Sequence, residues 1–453
     1  MRSYLSPLDA VFLELEQADA AAHMHIGWAA IFEPLPGGGR PSLERLREQV
    51  RERLEESSVL RRRLSSPLVD SSSLPVWLPD PDFDVGQQIR HATLPGRGGN
   101  EELMGWLGEY FSQRLDRSRP LWETTLLENL EGGGWALVSK VHHCLVDGFS
   151  AANLGAALLD AEPQPEEGVT TLADLVRMLG EESERNLFTR LRGVVGEVMS
   201  GGIDTALHPQ NVGWIVEGSR AMAEMLASDQ PAAAPRTSLN GAIGPTRRLS
   251  AVNLPLEEVE QVRRELGGSV NDVALAVVAG GLRRLFKERA EDVDRLLALV
   301  PVNLRRAGEA LADGNGVSSL FANLEIAEPD PVRRYRKIAA AAARETSTTE
   351  PTSLDPPMLQ SVIARLSFTP RLFNVTITNV PDLPIPLYSL GARMRRTIPV
   401  VPIFSGHSLG IAVVSYNGNL TFGLNADRDT FPDLELVRKG IEQSLHALAR
   451  VAA

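Results

Sequence analysis

One short apolar stretch gathers two adjacent histidines, a thiol and a carboxylate: Val141-His142-His143-Cys144-Leu145-Val146-Asp147-Gly148. Neighbours along a strand point to opposite faces, so His142 and His143 share a pocket only if the strand ends between them. Gly148 permits a sharp turn after Asp147. An imidazole at a strand end, with a carboxylate nearby, suits a general base, because neutral imidazole titrates at about pH 6.5. The carboxylate would fix the ring's tautomer or hold the loop by pairing elsewhere. The same residues also describe a buried structural histidine pair at a turn. A metal site built on His143 and Asp147 lacks an evident third ligand; His23 and His25 could be offered, but a polar strand face accounts for them more simply. Cys144 diverges from its histidine neighbours and reads as a small core residue. A Ser-His-Asp triad would need a GxSxG elbow, which the chain lacks.

These residues need elements to hold them. Strands are expected at His25–Phe32, at 121–130 and at 135–142, the last two joined by Glu131-Gly132-Gly133-Gly134 as a hairpin. Leu43, Leu46, Val50 and Leu54 are spaced by three and four, predicting a helix over 42–64. Further helices are expected at 101–115, 151–159 and 171–226. In the second half, helices are expected at 255–266, with Pro255 in its first turn, at 272–287 and at 434–451. Strands are expected at 296–304, 374–379, Leu409–Tyr416 and 420–425, the last two flanking Asn417-Gly418, a hairpin turn. Residues 161–168 read as a linker, and the Pro/Ala/Gly-rich stretch 229–245 as a domain boundary. The expected organisation is therefore 1–165, a helical segment and linker over 166–245, and 246–453.

The 453 residues are 43% apolar and only 23% charged, enough for a packed core in two or three domains. The net charge of −12 disfavours a general nucleic-acid binder, which needs a basic face. A single cysteine excludes a disulfide framework and an intramolecular multi-thiolate zinc site. No apolar run approaches the roughly 18 residues of a membrane span, and the first residues lack a secretory signal's pattern, so the cytoplasm is the expected compartment. Neither GxxxxGK[ST] nor GxGxxG occurs, so no phosphate-cradling loop is indicated.

His142-His143-x-x-x-Asp147-Gly148 matches the HHxxxDG signature of the CoA-dependent acyltransferase superfamily, which includes chloramphenicol acetyltransferase and peptide-synthetase condensation domains. Other segments narrow the likeness. Leu5-Ser6-Pro7-Leu8-Asp9 with Met24-His25-Ile26-Gly27 resembles the opening of bacterial wax ester synthase/diacylglycerol acyltransferases. Pro120-Leu121-Trp122 resembles their PLW motif and Asn271-Asp272 their ND motif. Leu239-Asn240-Gly241, Arg247-Arg248, Val300-Pro301-Val302-Asn303-Leu304-Arg305 and Asn379-Val380-Pro381 follow in the family's order. Asp382 stands where a glycine is common. The resemblance covers almost the whole chain.

The resemblance implies an α/β (α+β) fold of two chloramphenicol-acetyltransferase-like domains, mixed sheets flanked by helices, with the site in an interdomain tunnel. It implies that His143 is the base and that Asp147 is structural, paired with an arginine; Arg61 and Arg305 are the candidates. The base would take a proton from a lipid hydroxyl attacking an acyl-CoA thioester, and would then neutralise the departing thiolate. Acyl-CoA is then a co-substrate, with no metal and no other cofactor required. The acceptor would be diacylglycerol or a long-chain alcohol. Asn271 could contribute to the acyl or oxyanion site, though Ser269, Asn271 and Asp272 also stand where a helix N-cap belongs. Pro120, Leu121 and Trp122 carry no base and read as packing beside the site. Two alternatives remain at this point: a carrier-protein-dependent condensation-type or polyketide-associated acyltransferase, and a non-catalytic lipid-binding protein. A water-poor substrate pair suggests peripheral attachment to a membrane or lipid droplet, with 171–226 a candidate surface.

Overall fold

The computed structural model describes residues 3–5, 7–39, 41–54, 58–65, 75–145, 154–155, 157–163, 234–303, 317–348, 372–383 and 385–452. Asp147, Gly148, Arg305, the linker's residues from 164 and the expected helix 171–226 lie outside them. The described part of 151–159 is helical at 154–155 and 157–158.

In chain order the first half carries β1 (Ser3–Tyr4), α1 (Pro7–Ala18), β2 (His25–Phe32), α2 (Leu43–Leu54), β3 (Arg62–Leu64), β4 (Val76–Pro79), α3 (Val85–Gln88), β5 (Ile89–Thr93), α4 (Asn100–Phe111), β6 (Trp122–Leu130) and β7 (Gly134–His142). The second half carries β8 (Arg247–Pro255), α5 (Leu256–Leu266), α6 (Val270–Glu288), β9 (Leu297–Asn303), β10 (Val317–Asn323), α7 (Pro331–Thr348), β11 (Val375–Leu383), β12 (Tyr388–Ser389), β13 (Ala392–Val400), β14 (Leu409–Tyr416), β15 (Asn419–Asp427) and α8 (Leu434–Ala452). One sheet has the order β12-β13-β2-β7-β6-β5, a second β10-β9-β11-β14-β15-β8, and a small third β1-β4-β3. Both large sheets are mixed: β5 runs parallel to β6, and β11 parallel to β9 and β14.

Residues 388–400 belong to the second half of the chain but pair with β2 in the first sheet, through β13. The partition of the sheets therefore crosses the partition of the chain at 245/246. Helix α4 fills the space between the sheets. Leu103, Leu107 and Phe111 pack with Val138 of β7, Leu249 of β8 and Ile398 of β13. Glycine makes this approach possible at two places. A Cβ at Gly27 would meet the Phe111 ring at 2.7 Å, and one at Gly108 would meet the Arg247 carbonyl oxygen at 2.8 Å. Buried Arg247 then ties the halves together: its backbone N–H donates to Ser112 Oγ at 2.8 Å and its guanidinium donates to the Ala21 carbonyl. Beneath the second sheet, the apolar faces of α6 and α8 form a separate core.

Several expected elements change shape. The periodicity through Leu54 continues in appearance because Leu60 and Leu64 are also four apart, but the helix stops at Leu54. Leu60 lies in a 3-10 turn over Ser58–Arg61, and Leu64 in β3, which pairs with β4. Pro255 is not in the first turn of α5; it is the N-cap, in an extended conformation, and ends β8. The Asn417-Gly418 hairpin is present with φ of 50° and 75°, the two positive values that a type I′ turn demands.

Candidate functional site

The strand that carries the histidines ends between them. β7 closes at His142, and a 3-10 turn begins at His143. Both residues are fixed by backbone bonds first: the His142 N–H donates to the Leu121 carbonyl at 2.9 Å and the His143 N–H to the Met24 carbonyl at 2.8 Å. Their side chains then diverge.

His142 is fully buried and faces β2, where His25 is its cross-strand partner. The two rings stand edge to face, 5.9 Å apart. The His142 Nδ1 accepts the Cys144 N–H at 3.1 Å, which places its own proton on Nε2. That Nε2 points at Glu16 Oε2 from 3.5 Å, an electrostatic contact too long for a well-formed hydrogen bond. Glu16 is 3% exposed and is met by the Arg117 guanidinium, whose Nε donates at 2.9 Å. Burial alone would raise the Glu16 carboxyl; the His142 ring and Arg117 outweigh it and bring it down to about 2. Burial holds His142 below its ordinary range despite the carboxylate, so the pair is an anion beside a neutral ring.

His143 turns the other way. Its ring stacks on Phe12, with centroids 3.9 Å apart and planes inclined by 21°. Burial, with the His142 ring adding a little, pushes its pKa down to about 4. The ring is therefore neutral at ordinary pH. Its Nδ1 is buried without a hydrogen-bond partner among the described residues.

One helix reads both histidines. Phe12 and Glu16 are four residues apart on α1, hence on one face and one turn apart. Phe12 meets His143, and Glu16 meets His142. The sequence-based candidates omit both residues. Their signal was available as Phe12-x-x-x-Glu16 within a helical pattern, but an isolated acidic residue there reads as a solvated face.

The other candidates divide into separate groups. Trp122 and Leu121 are buried, and the Trp122 Nε1–H donates to the Leu60 carbonyl at 2.8 Å, which accounts for an indole in the core. The Pro120 carbonyl accepts from Gln88 Nε2 at 3.0 Å. These are packing contacts. The Arg61 guanidinium lies over the Phe83 ring. Cys144 is buried, and burial raises its thiol well above the usual range, so it is a protonated core residue. His23 is also buried, and burial and then Arg247 lower it to about 4. Among the described residues, no group of three or more His, Cys, Asp or Glu is placed to hold a metal ion.

Asn271 and Asp272 stand at the start of α6, on the second sheet's side. Ser269 is the N-cap, and Asp272 completes a capping box: its Oδ2 accepts from the Ser269 N–H and Oγ, both at 2.8 Å. Asp272 is thus committed to the helix end. Asn271, half-buried beside it, accepts a hydrogen bond from Asn379 Nδ2 at 3.3 Å.

Two six-stranded mixed sheets bridged by a helix, with the histidine pair at the end of the central strand β7, have the architecture of the two-domain, chloramphenicol-acetyltransferase-like class of α/β folds. The first condensation domain of the calcium-dependent antibiotic synthetase shares this fold over 100% of this chain and 97% of its own, at 19% identity and a TM-score of 0.64. The wax ester synthase/diacylglycerol acyltransferase from Marinobacter aquaeolei VT8 is more similar, with a TM-score of 0.71 and 27% identity over 99% and 100% of the two chains. Residues 5–274 match the wax ester synthase/diacylglycerol acyltransferase catalytic domain, and 313–449 the C-terminal domain of the same family. A probable diacylglycerol O-acyltransferase of Mycobacterium tuberculosis is 31% identical across 99% of this chain and 96% of its own. A putative one from the same species is 32% identical across 98% and 99%. The chain belongs to the wax ester synthase/diacylglycerol acyltransferase family and is an acyltransferase.

Proposed function

We propose that this protein transfers a long-chain acyl group from acyl-CoA to diacylglycerol or a long-chain alcohol, forming triacylglycerol or wax ester, with His143 as the general base. The observation that carries this reading is the break of β7 between His142 and His143, which separates a ring anchored by the Cys144 N–H from one stacked on Phe12. The neutral ring takes the proton of the acceptor hydroxyl as its oxygen attacks the thioester carbonyl. The imidazolium so formed sits in a half-buried, poorly hydrated setting that favours giving the proton up again. It passes to the departing thiolate, whose thiol pKa is about 8.5. Asn271 donates to the oxygen on which charge collects. The two halves would enclose these groups in a tunnel reached by CoA from one side and the alcohol from the other. Asp147, paired with Arg61 or Arg305, would hold the turn that follows His143.

The substrate assay combines palmitoyl-CoA with diacylglycerol or hexadecanol and follows CoA release and ester formation. Ester with at least one alcohol is expected. Transfer only from an acyl carrier protein would replace this reading with a condensation-type one.

The low pKa of His143 fixes the direction of the pH response. A base must be unprotonated, so kcat/KM for acyl-CoA should rise with pH through about 4 and be flat from pH 6 to 8 on the base's side. An acidic limb centred at about 6.5, the ordinary imidazole value, would contradict a base held low by desolvation.

We also place the enzyme at a lipid surface, because its acceptor dissolves in lipid. Among the described residues no helix is long and apolar enough to cross a membrane. A net charge of −12 opposes attraction to anionic headgroups, so attachment would use apolar surface. Flotation with neutral vesicles should carry the protein upward; protein left wholly at the bottom of the gradient counts against attachment.

A further inference from the structure

We propose that Asn379 is a positioning residue, which fixes the side-chain amide of Asn271 so that its N–H groups, not its carbonyl, face the reacting acyl group. This rests on the reading of Asn271 as an oxyanion donor.

The geometry behind it is local. Asn271 is the second residue of α6, whose backbone start is locked by the Ser269–Asp272 capping box. That lock sets the Cα position but leaves the amide free to rotate by half a turn. A rotated amide would present an oxygen to a developing oxyanion, and two oxygens there repel. The Asp272 carboxylate is turned to the helix start, its Oδ2 accepting from the Ser269 N–H and Oγ. Asn379 reaches it from another element: its Nδ2 donates to Asn271 Oδ1 at 3.3 Å. The bond commits the carbonyl end of Asn271 to the protein and leaves the amide's donors for a ligand.

Asn379 is itself well placed to hold a direction. It lies within β11, where the parallel ladder with β14 holds its backbone on one side at Asn379↔Val413, just before the register shifts between Val380 and Leu383; the pairing with β9 is confined to Val375 and Thr376. The strand is bound at its start as well. Just before β11, buried Asn374 donates from Nδ2 to Asn240 Oδ1 and to the Pro235 carbonyl, both at 2.7 Å, and accepts the Leu297 N–H at 2.9 Å. A strand anchored at its start and a capped helix thus meet through an amide–amide bond, the kind of support that keeps a donor aligned during a reaction.

A double-mutant cycle on the full-length enzyme tests this. Asn271→Ala should lower kcat by about 10²–10³-fold, the usual effect of losing one oxyanion donor. Asn379→Ala should lower kcat by about 10-fold or more through misorientation, with KM for acyl-CoA little changed. In the Asn271→Ala background, Asn379→Ala should then lower kcat no further, because its effect has no amide left to act through. Asn379→Asp keeps the side chain's size and carries the same cycle if the alanine variant folds poorly. Its carboxylate has no N–H to give, draws the Asn271 donors to itself and should be slower than Asn379→Ala.

The wild-type rate, measured first, separates the failures. Without acyl transfer in the wild type, the functional reading falls and the proposal with it. With transfer, but with Asn379 and Asn271 effects that multiply independently, the proposal alone is overturned. Wild-type kcat in Asn271→Ala overturns it too, by removing the donor.

Discussion

Glu16→Ala is expected to lower the stability of the fold by about 3 kcal/mol, the lower end of the cost of removing one partner from a buried ion pair. The carboxylate is 3% exposed and faces four positive or polar groups: Arg117, His142 at 3.5 Å, and His25 and Arg114 at 3.8 Å. Its loss leaves the Arg117 guanidinium without its anion, although that side chain is 35% exposed and can turn partly to water, which sets the lower figure. The pH dependence has a definite sign. The folded-state pKa of Glu16, about 2, lies below its ordinary value of 4.5, so the native state binds fewer protons than the unfolded one. The stabilisation is complete above about 4.5 and is lost as pH falls towards 2. Thermal melts of the wild type and of Glu16→Gln, which keeps the shape without the charge, should therefore differ most at neutral pH and converge as pH falls through that window. A constant difference across it would show that the carboxylate's charge contributes nothing. Activity should fall alongside stability, because Glu16 steadies the ring that accepts the Cys144 N–H and so anchors the turn bearing His143.

Much of this arrangement was legible in the chain because local chemistry and tertiary structure agree. β2 and β14 occupy the expected residues, since apolar runs of that length rich in β-branched and aromatic residues have few other uses. The Asn417-Gly418 turn forms because only such residues accept two positive φ values without strain. The strand end at His142 was one of the two arrangements that strand alternation left open; the contacts of the rings, His142 towards His25 and Glu16 and His143 on Phe12, come from the fold. The cap of α6 falls on Ser269, the first of the three residues, with Asn271 and Asp272, that stood where an N-cap was expected.

The features that escaped were held by partners distant in sequence. β13 carries Arg393, Arg395 and Arg396, and its register with β2 shifts between Met394 and Arg396, so alternation is broken where it would be recognised. Its addition to the first sheet is a crossing of the chain that no periodicity encodes. β8 was hidden in the same way, because Arg247-Arg248 begins a strand with an arginine buried between the halves. In the site, Glu16 looked like an ordinary helical acid. Only the placement of α1 against the end of β7 shows that its charge is spent on Arg117 and His142, and that Phe12, one turn away, covers His143. The link from Asn379 to Asn271 spans 108 residues, so only the tertiary placement of β11 beside the start of α6 reveals it.

The most direct test of the central claim is the turnover of His143→Ala, measured by CoA release from palmitoyl-CoA in the presence of the better of the two alcohols, beside Cys144→Ala under the same conditions. A positioned general base contributes about 10²–10⁴-fold, so His143→Ala should be slower by that factor while melting close to the wild type, because its imidazole stacks on Phe12 but carries no ion pair. Cys144→Ala should keep most of its activity, since burial holds that thiol protonated. Full turnover in His143→Ala, with loss in Cys144→Ala, would contradict the general-base role and move the chemistry to the thiol.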